Sequence, residues 1–172
     1  MKLNKIIYIC ILASLMCIVS PVVIPINNVG ITLSIFIISL ICSILNKNSF
    51  ICIAIYIIIG LIGLPVFQGY SSGVVALVGP TGGFIIGYIF YSLITGILIH
   101  KLGISFFKSL VFNLIGLFIC YCFGIAWFIY TTKVTFWYAL TVIIIPYVLL
   151  DIIKIILAYI IYKQLKIRNI VF

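Results

Sequence analysis

The stretch IIIPYVLLDIIKIIL, residues 143–157, carries Asp151, the only acidic residue in a chain of 172, and Lys154 less than one helical turn later. At i and i+3 a carboxylate and an ammonium share one face of one apolar helix. A charge at membrane depth costs about 2.5–3.5 kcal/mol on insertion scales. A chain that has no other acid and keeps this one inside a hydrophobic run points to a functional pair. The alternative is a self-neutralising pair that only packs a helix.

Composition around that stretch sets the class. The chain is 67% hydrophobic and 6% charged, with a mean hydropathy of +1.54, whereas soluble domains carry about 25% charged residues. So few charges cannot cover a water-facing surface, which makes the chain an integral, multi-pass membrane protein with residues 1–172 as a single domain. The net charge of +9 does not indicate nucleic acid, because the cations are scattered singly among hydrophobic runs and form no patch. The six cysteines include no CxxC pair. Cys120 and Cys122 point about 200° apart on a helix, so they read as small hydrophobes and no metal site is expected. No GxxxxGK[ST], HExxH or GxSxG occurs, so neither nucleotide hydrolysis, a catalytic residue nor a cofactor is expected.

Breaks in hydropathy divide the chain into six spans, at about residues 6–23, 31–45, 50–63, 84–99, 106–130 and 136–162. Lys2 and Lys5 lead directly into the first apolar run, and no small-x-small cleavage site with polar sequence beyond it follows, so this run reads as a first transmembrane helix. Spans two and three are short for a core of about 30 Å. With the N-terminus in the cytoplasm, Lys2, Lys5, Lys47, Lys101, Lys108, Lys163, Lys166 and Arg168 fall inside, Lys133 falls outside, and Lys154 lies within a span. That distribution obeys the positive-inside rule, so the expected fold is an all-α membrane protein of six transmembrane helices with both termini cytoplasmic.

The same topology sends residues 64–83, between the third and fourth helices, to the outer face. This long segment is rich in Gly and Pro but not very polar. Irregular backbone at membrane depth survives where it is buried in protein or lines a cavity, so the segment is expected to fold over a pocket as a lid. The outer half of the sixth helix brings Asp151 and Lys154 within its reach.

Gly63-Leu64-Pro65-Val66-Phe67, then Gly73, then Gly79-Pro80-Thr81-Gly82-Gly83-Phe84 resembles the GLPVF…GG…GPTGGY signature of the BioY family. Residues 25–33 (PINNVGITL), 121–127 (YCFGIAW) and 146–154 (PYVLLDIIK) are similar to further motifs of the same family, in order and over nearly the whole chain. The resemblance implies a biotin-binding S component of an energy-coupling factor (ECF) transporter in the cell membrane. It implies partners as well, a shared transmembrane T component coupled to two ATPase subunits.

A biotin pocket is mostly apolar with a few placed polar groups. Asp151 accepts from ureido N–H groups, since an ionised acid offers several acceptor sites. Lys154 keeps it ionised and donates to a ureido or carboxylate oxygen. Gln68, Ser71, Ser72, Gly73, Thr81 and Gly82 of the lid either meet the ligand or cap and shape turns. Phe67, Tyr70, Trp127 and Tyr147 supply walls or packing. Asn113 is expected to make an interhelical hydrogen bond. Ala13 and Cys17, with Cys10 and Ser14, give small-xxx-small spacing on the first helix, either for docking the T component or for packing within the bundle. The competing functions are an S component of this fold for another vitamin and a non-transport membrane protein.

Overall fold

The computed structural model describes residues 3–26 and 29–170. Helix α1 (Leu3–Val19) ends just before Pro21, because the residue ahead of a proline is driven out of helical conformation. An antiparallel hairpin follows, β1 (Val23–Ile26) with β2 (Val29–Thr32), in the register Val23 to Thr32 and Ile26 to Val29. This hairpin, two strands of four residues, is a local exception in an otherwise helical membrane protein. Its β-branched residues suit a strand, whereas Pro25 would interrupt a helix. The turn at Asn27 and Asn28, like Lys2, lies outside the described residues.

Helix α2 (Ser34–Leu45) is only 12 residues long, about 18 Å, well short of a bilayer core. Its position resolves the difficulty. Every residue except Phe36 is buried, and the helix packs against α1, α3, α5 and α8, so other helices, not lipid, surround it. Asn46, at φ 50° and ψ −125°, breaks the helical run and opens a 3-10 turn (Asn46–Asn48) into α3 (Ser49–Leu61).

The lid segment is more ordered than its Gly and Pro content suggests. It contains a 3-10 turn (Gln68–Tyr70) and a short helix, α4 (Gly73–Val78). Gly73 has φ +72°, a conformation that side-chain-bearing residues rarely adopt, and this lets the chain turn into α4. Phe67 is fully buried, with its ring edge-on to Tyr56 at 5.5 Å and lying over Gly60. A buried polar chain ties this segment to the bundle. Ser20 Oγ lies 2.9 Å from Ser34 Oγ and 2.8 Å from the Tyr56 hydroxyl, which donates to the Val66 carbonyl at 3.2 Å.

Helices α5 (Gly82–Leu102) and α6 (Phe106–Thr132) pack along their length, and glycines make that possible. A Cβ on Gly83 would lie 2.3 Å from Trp127 Cβ, and one on Gly116 would lie 2.3 Å from Thr95 Oγ1. Small residues at such a crossing let two backbones approach closely in a membrane. Inside this interface Tyr91 donates to Asn113 Oδ1 at 2.8 Å, giving the interhelical bond expected of Asn113.

The last helical run is α7 (Phe136–Ala139), a π turn (Leu140–Ile144) and α8 (Ile145–Ile167). Pro146 explains the π turn. It has no N–H to offer the preceding turn, and its ring crowds the carbonyl four residues back. The run therefore widens, with the Ile145 N–H bonded to the Leu140 carbonyl.

Among the described residues, the runs Ser34–Leu61, Gly82–Leu102, Phe106–Thr132 and Phe136–Ile167 are long and apolar enough to cross a membrane, and α1 is a shorter apolar helix. The expectation that Ala13 faces a partner is corrected: it is 2% exposed and packs inside the bundle. Helix α1 rests on α2 and α3, which turns Ala13 inward and leaves Cys10 and Ser14 exposed, with Cys17 half-buried.

Candidate functional site

The loop-bearing end of the bundle encloses a cavity of about 180 Å³, more than ten times what one water needs. Each element contributes through its own periodicity. Phe84 and Tyr88 are four residues apart on α5, and Tyr121 and Phe128 are seven apart on α6, so each pair lines one face. Tyr147, Asp151 and Lys154 follow at i, i+4 and i+7 on α8, with Ile143 from the π turn above them. Thr32 and Ile35 close the side near the hairpin, and Gln68, Pro80 and Thr81 come from the segment between α3 and α5.

The cavity changes character with depth. Pro80 is exposed, and Thr32, Gln68 and Thr81 are half-buried, so the mouth is neutral and reaches solvent. The middle is aromatic and aliphatic. At the floor Asp151 is 4% exposed and Lys154 is 8% exposed. Lys154 Nζ donates to Asp151 Oδ1 at 2.7 Å, and the Tyr121 hydroxyl donates to Asp151 Oδ2 at 2.5 Å. Each carboxylate oxygen therefore has one protein donor. A carboxylate has about four lone-pair sites, so two acceptor positions remain for a ligand. Lys154 commits one of its three donors to Asp151. The pair is neutral as a whole but offers both acceptors and donors in a low-dielectric setting, where hydrogen bonds are stronger than in water.

Of the residues anticipated from sequence, Asp151, Lys154, Gln68, Thr81 and Tyr147 line this cavity. Phe67, Ser71, Ser72, Gly73 and Gly82 are not among its lining residues. Phe67 belongs to the core. Ser71 Oγ donates to the Gln68 carbonyl at 2.9 Å and closes a turn. Gly82 lies against the end of α4, where a Cβ would meet the Leu77 carbonyl oxygen at 1.7 Å. Ser72 and Gly73 begin α4. Trp127 does not line the cavity either. Its Nε1 donates to the Gly79 carbonyl at 3.0 Å and pins the strand of chain leading into Pro80 and Thr81. Tyr70 is 65% exposed.

Sequence reasoning passed over Tyr121, whose signal was present. A tyrosine in the middle of an apolar span needs a partner for its hydroxyl, and the chain has a single acid to supply one. Tyr88 was also legible, four residues after Phe84 at helical spacing. Thr32, Ile35 and Phe128 carry no comparable signal. A larger groove of about 640 Å³ runs outside, between α6 and the α7–α8 run, but its lining is almost wholly apolar and offers nothing to orient a polar ligand.

Comparison with known proteins agrees with this architecture. The chain is 31% identical over 157 residues to "Biotin transporter BioY2" of Lactococcus lactis subsp. cremoris, covering 91% of this chain and 86% of that protein. It is 32% identical to "Probable biotin transporter BioY" of Pyrococcus horikoshii, covering 96% and 98%. It is 33% identical to "Biotin transporter BioY" of Thermotoga maritima, covering 83% and 84%. The fold matches the crystal structure of the S-component for biotin from an ECF-type ABC transporter, with a TM-score of 0.85 at 27% identity, covering 96% of this chain and 92% of that one. The BioY family model matches residues 1–169, and the chain belongs to the BioY family.

Proposed function

We propose that this chain captures biotin at the outer face of the cell membrane, as the substrate-binding subunit of an ECF-type transporter. One observation carries the reading: a neutral but polar floor of Asp151, Lys154 and Tyr121 at the bottom of an apolar cavity. A ureido group has two N–H donors and one carbonyl acceptor. Asp151 has acceptor positions left for the donors, and Lys154 has donors left for the carbonyl. The aromatic middle accommodates the fused rings and the aliphatic chain. An analogue lacking one ureido N–H leaves a buried acceptor unmatched, a loss of about 1–3 kcal/mol.

The same reading takes the chain as one membrane-embedded domain crossing six times, by α1, α2, α3, α5, α6 and the α7–α8 run, with both termini in the cytoplasm. The cation distribution supports it. Lys5, Lys47, Lys101, Lys108, Lys163, Lys166 and Arg168 lie at the bundle end away from the cavity, where the Tyr8 hydroxyl donates to the Ile170 carbonyl and brings the two terminal helices together. Lys133 lies at the cavity end, at the C-terminus of α6. As an S component of an ECF-type transporter the chain would work with a transmembrane T component and two ATPase subunits, to which nucleotide hydrolysis falls. The exposed face of α1 around Cys10, Ser14 and Cys17 is the face we assign to docking. Calorimetry on the detergent-purified chain tests the reading: biotin binds one to one without ATP. Absence of biotin heat alongside binding of a different vitamin would replace biotin with that ligand.

A further inference from the structure

Resting on the biotin reading, we infer that this site recognises the uncharged ureido head and does not read the ligand's far carboxylate by charge. Ureido-ring ligands with a neutral tail, amides and esters of the carboxyl, should therefore be bound as readily as the free acid.

The argument is a count of charges by position. Among the described residues Lys154 is the only cation lining the cavity, and its charge is already matched by Asp151 at 2.7 Å. The floor thus has no net positive charge to offer an anionic ligand. Lys133, the other described cation at this end, is outside the lining. It is held over the Tyr130 ring at 4.7 Å. The remaining described cations lie at the opposite end of the bundle. A carboxylate halfway down would sit among Phe84, Tyr88, Phe128 and Ile143 as a buried anion without a counter-charge, an arrangement proteins avoid. With the ureido group on the floor, the carboxylate is left at the mouth, beside Thr32, Gln68 and Thr81. The neutral groups and water there solvate a carboxylate and a carboxamide about equally.

The test is calorimetry on the detergent-purified wild-type chain with biotin and with biotinamide, at one pH and ionic strength. The expected result is two dissociation constants within about fivefold, under about 1 kcal/mol. Lys133→Gln should leave both unchanged within that margin. Biotinamide binding more than about fivefold weaker than biotin overturns the inference and leaves the biotin reading standing. A loss confined to free biotin in Lys133→Gln does the same, since it would place the carboxylate on that lysine. Failure of the chain to bind either compound overturns the biotin reading itself and takes this inference with it.

Discussion

Replacing Asp151 by Asn removes one unit of charge without changing the size of the side chain, and the cost of doing so can be worked from its two partners. Asp151 accepts from Lys154 at 2.7 Å and from Tyr121 at 2.5 Å while almost fully buried. The amide offers one acceptor oxygen in place of two, and its NH₂ faces one of those donors. Lys154, 8% exposed, is left as a buried cation without its anion. Breaking one partner of a buried pair costs about 3–5 kcal/mol. If that cost falls on the ligand-bound state, affinity drops by about two to three and a half orders of magnitude. If it falls on the folded state, the melting temperature drops and the residual folded protein still binds. Calorimetry for biotin and a thermal melt in the same detergent separate the two. The double change Asp151→Asn with Lys154→Met removes the stranded cation, and it should recover the melting temperature while leaving biotin unbound. If the double variant binds biotin with wild-type affinity, the pair is structural and the cavity floor is not the recognition site.

Tyr121→Phe removes one donor to Asp151 at the floor and should weaken biotin binding by about 1–2 kcal/mol, roughly five- to thirtyfold by calorimetry, with the chain still folded. Gly83→Leu forces a side chain into space already held by Trp127 Cβ and the Phe123 carbonyl. It should separate α5 from α6 and lower the melting temperature, whereas Ser72→Ala, which removes no side-chain cap bond, should alter neither melting nor binding appreciably. On a cysteine-free background, Tyr70→Cys should react with a membrane-impermeant maleimide in whole cells and Lys47→Cys only after permeabilisation. The reverse pattern would invert the orientation.

The parts of this molecule that were legible in its sequence share a cause: each is set by a local rule. The several apolar helices follow from the cost of leaving backbone polar groups unsatisfied in lipid. The Asp151–Lys154 pair is readable because i and i+3 on a helix leave little choice of geometry, and the contact is there at 2.7 Å. The lid was harder to read. Its glycines and prolines mark breaks in regular structure but do not state which groups face inward. Phe67 went to the core because Gly60 leaves a space that only a neighbouring ring fills, a fact of two separate elements. Tyr121 shows the same limit from the other side. Its need for a partner was local, but the identity of that partner depended on α6 and α8 lying side by side. The hairpin at Val23–Thr32 was missed because a short β-branched run bounded by prolines and asparagines carries no helix or strand period long enough to decide. Pro146 acts on both levels, local and tertiary. It forces the π turn that precedes α8, and that extra residue in the turn sets the rotation at which Tyr147, Asp151 and Lys154 enter the cavity. The residue that a helix tolerates least is therefore the one that aims the helix's only acid.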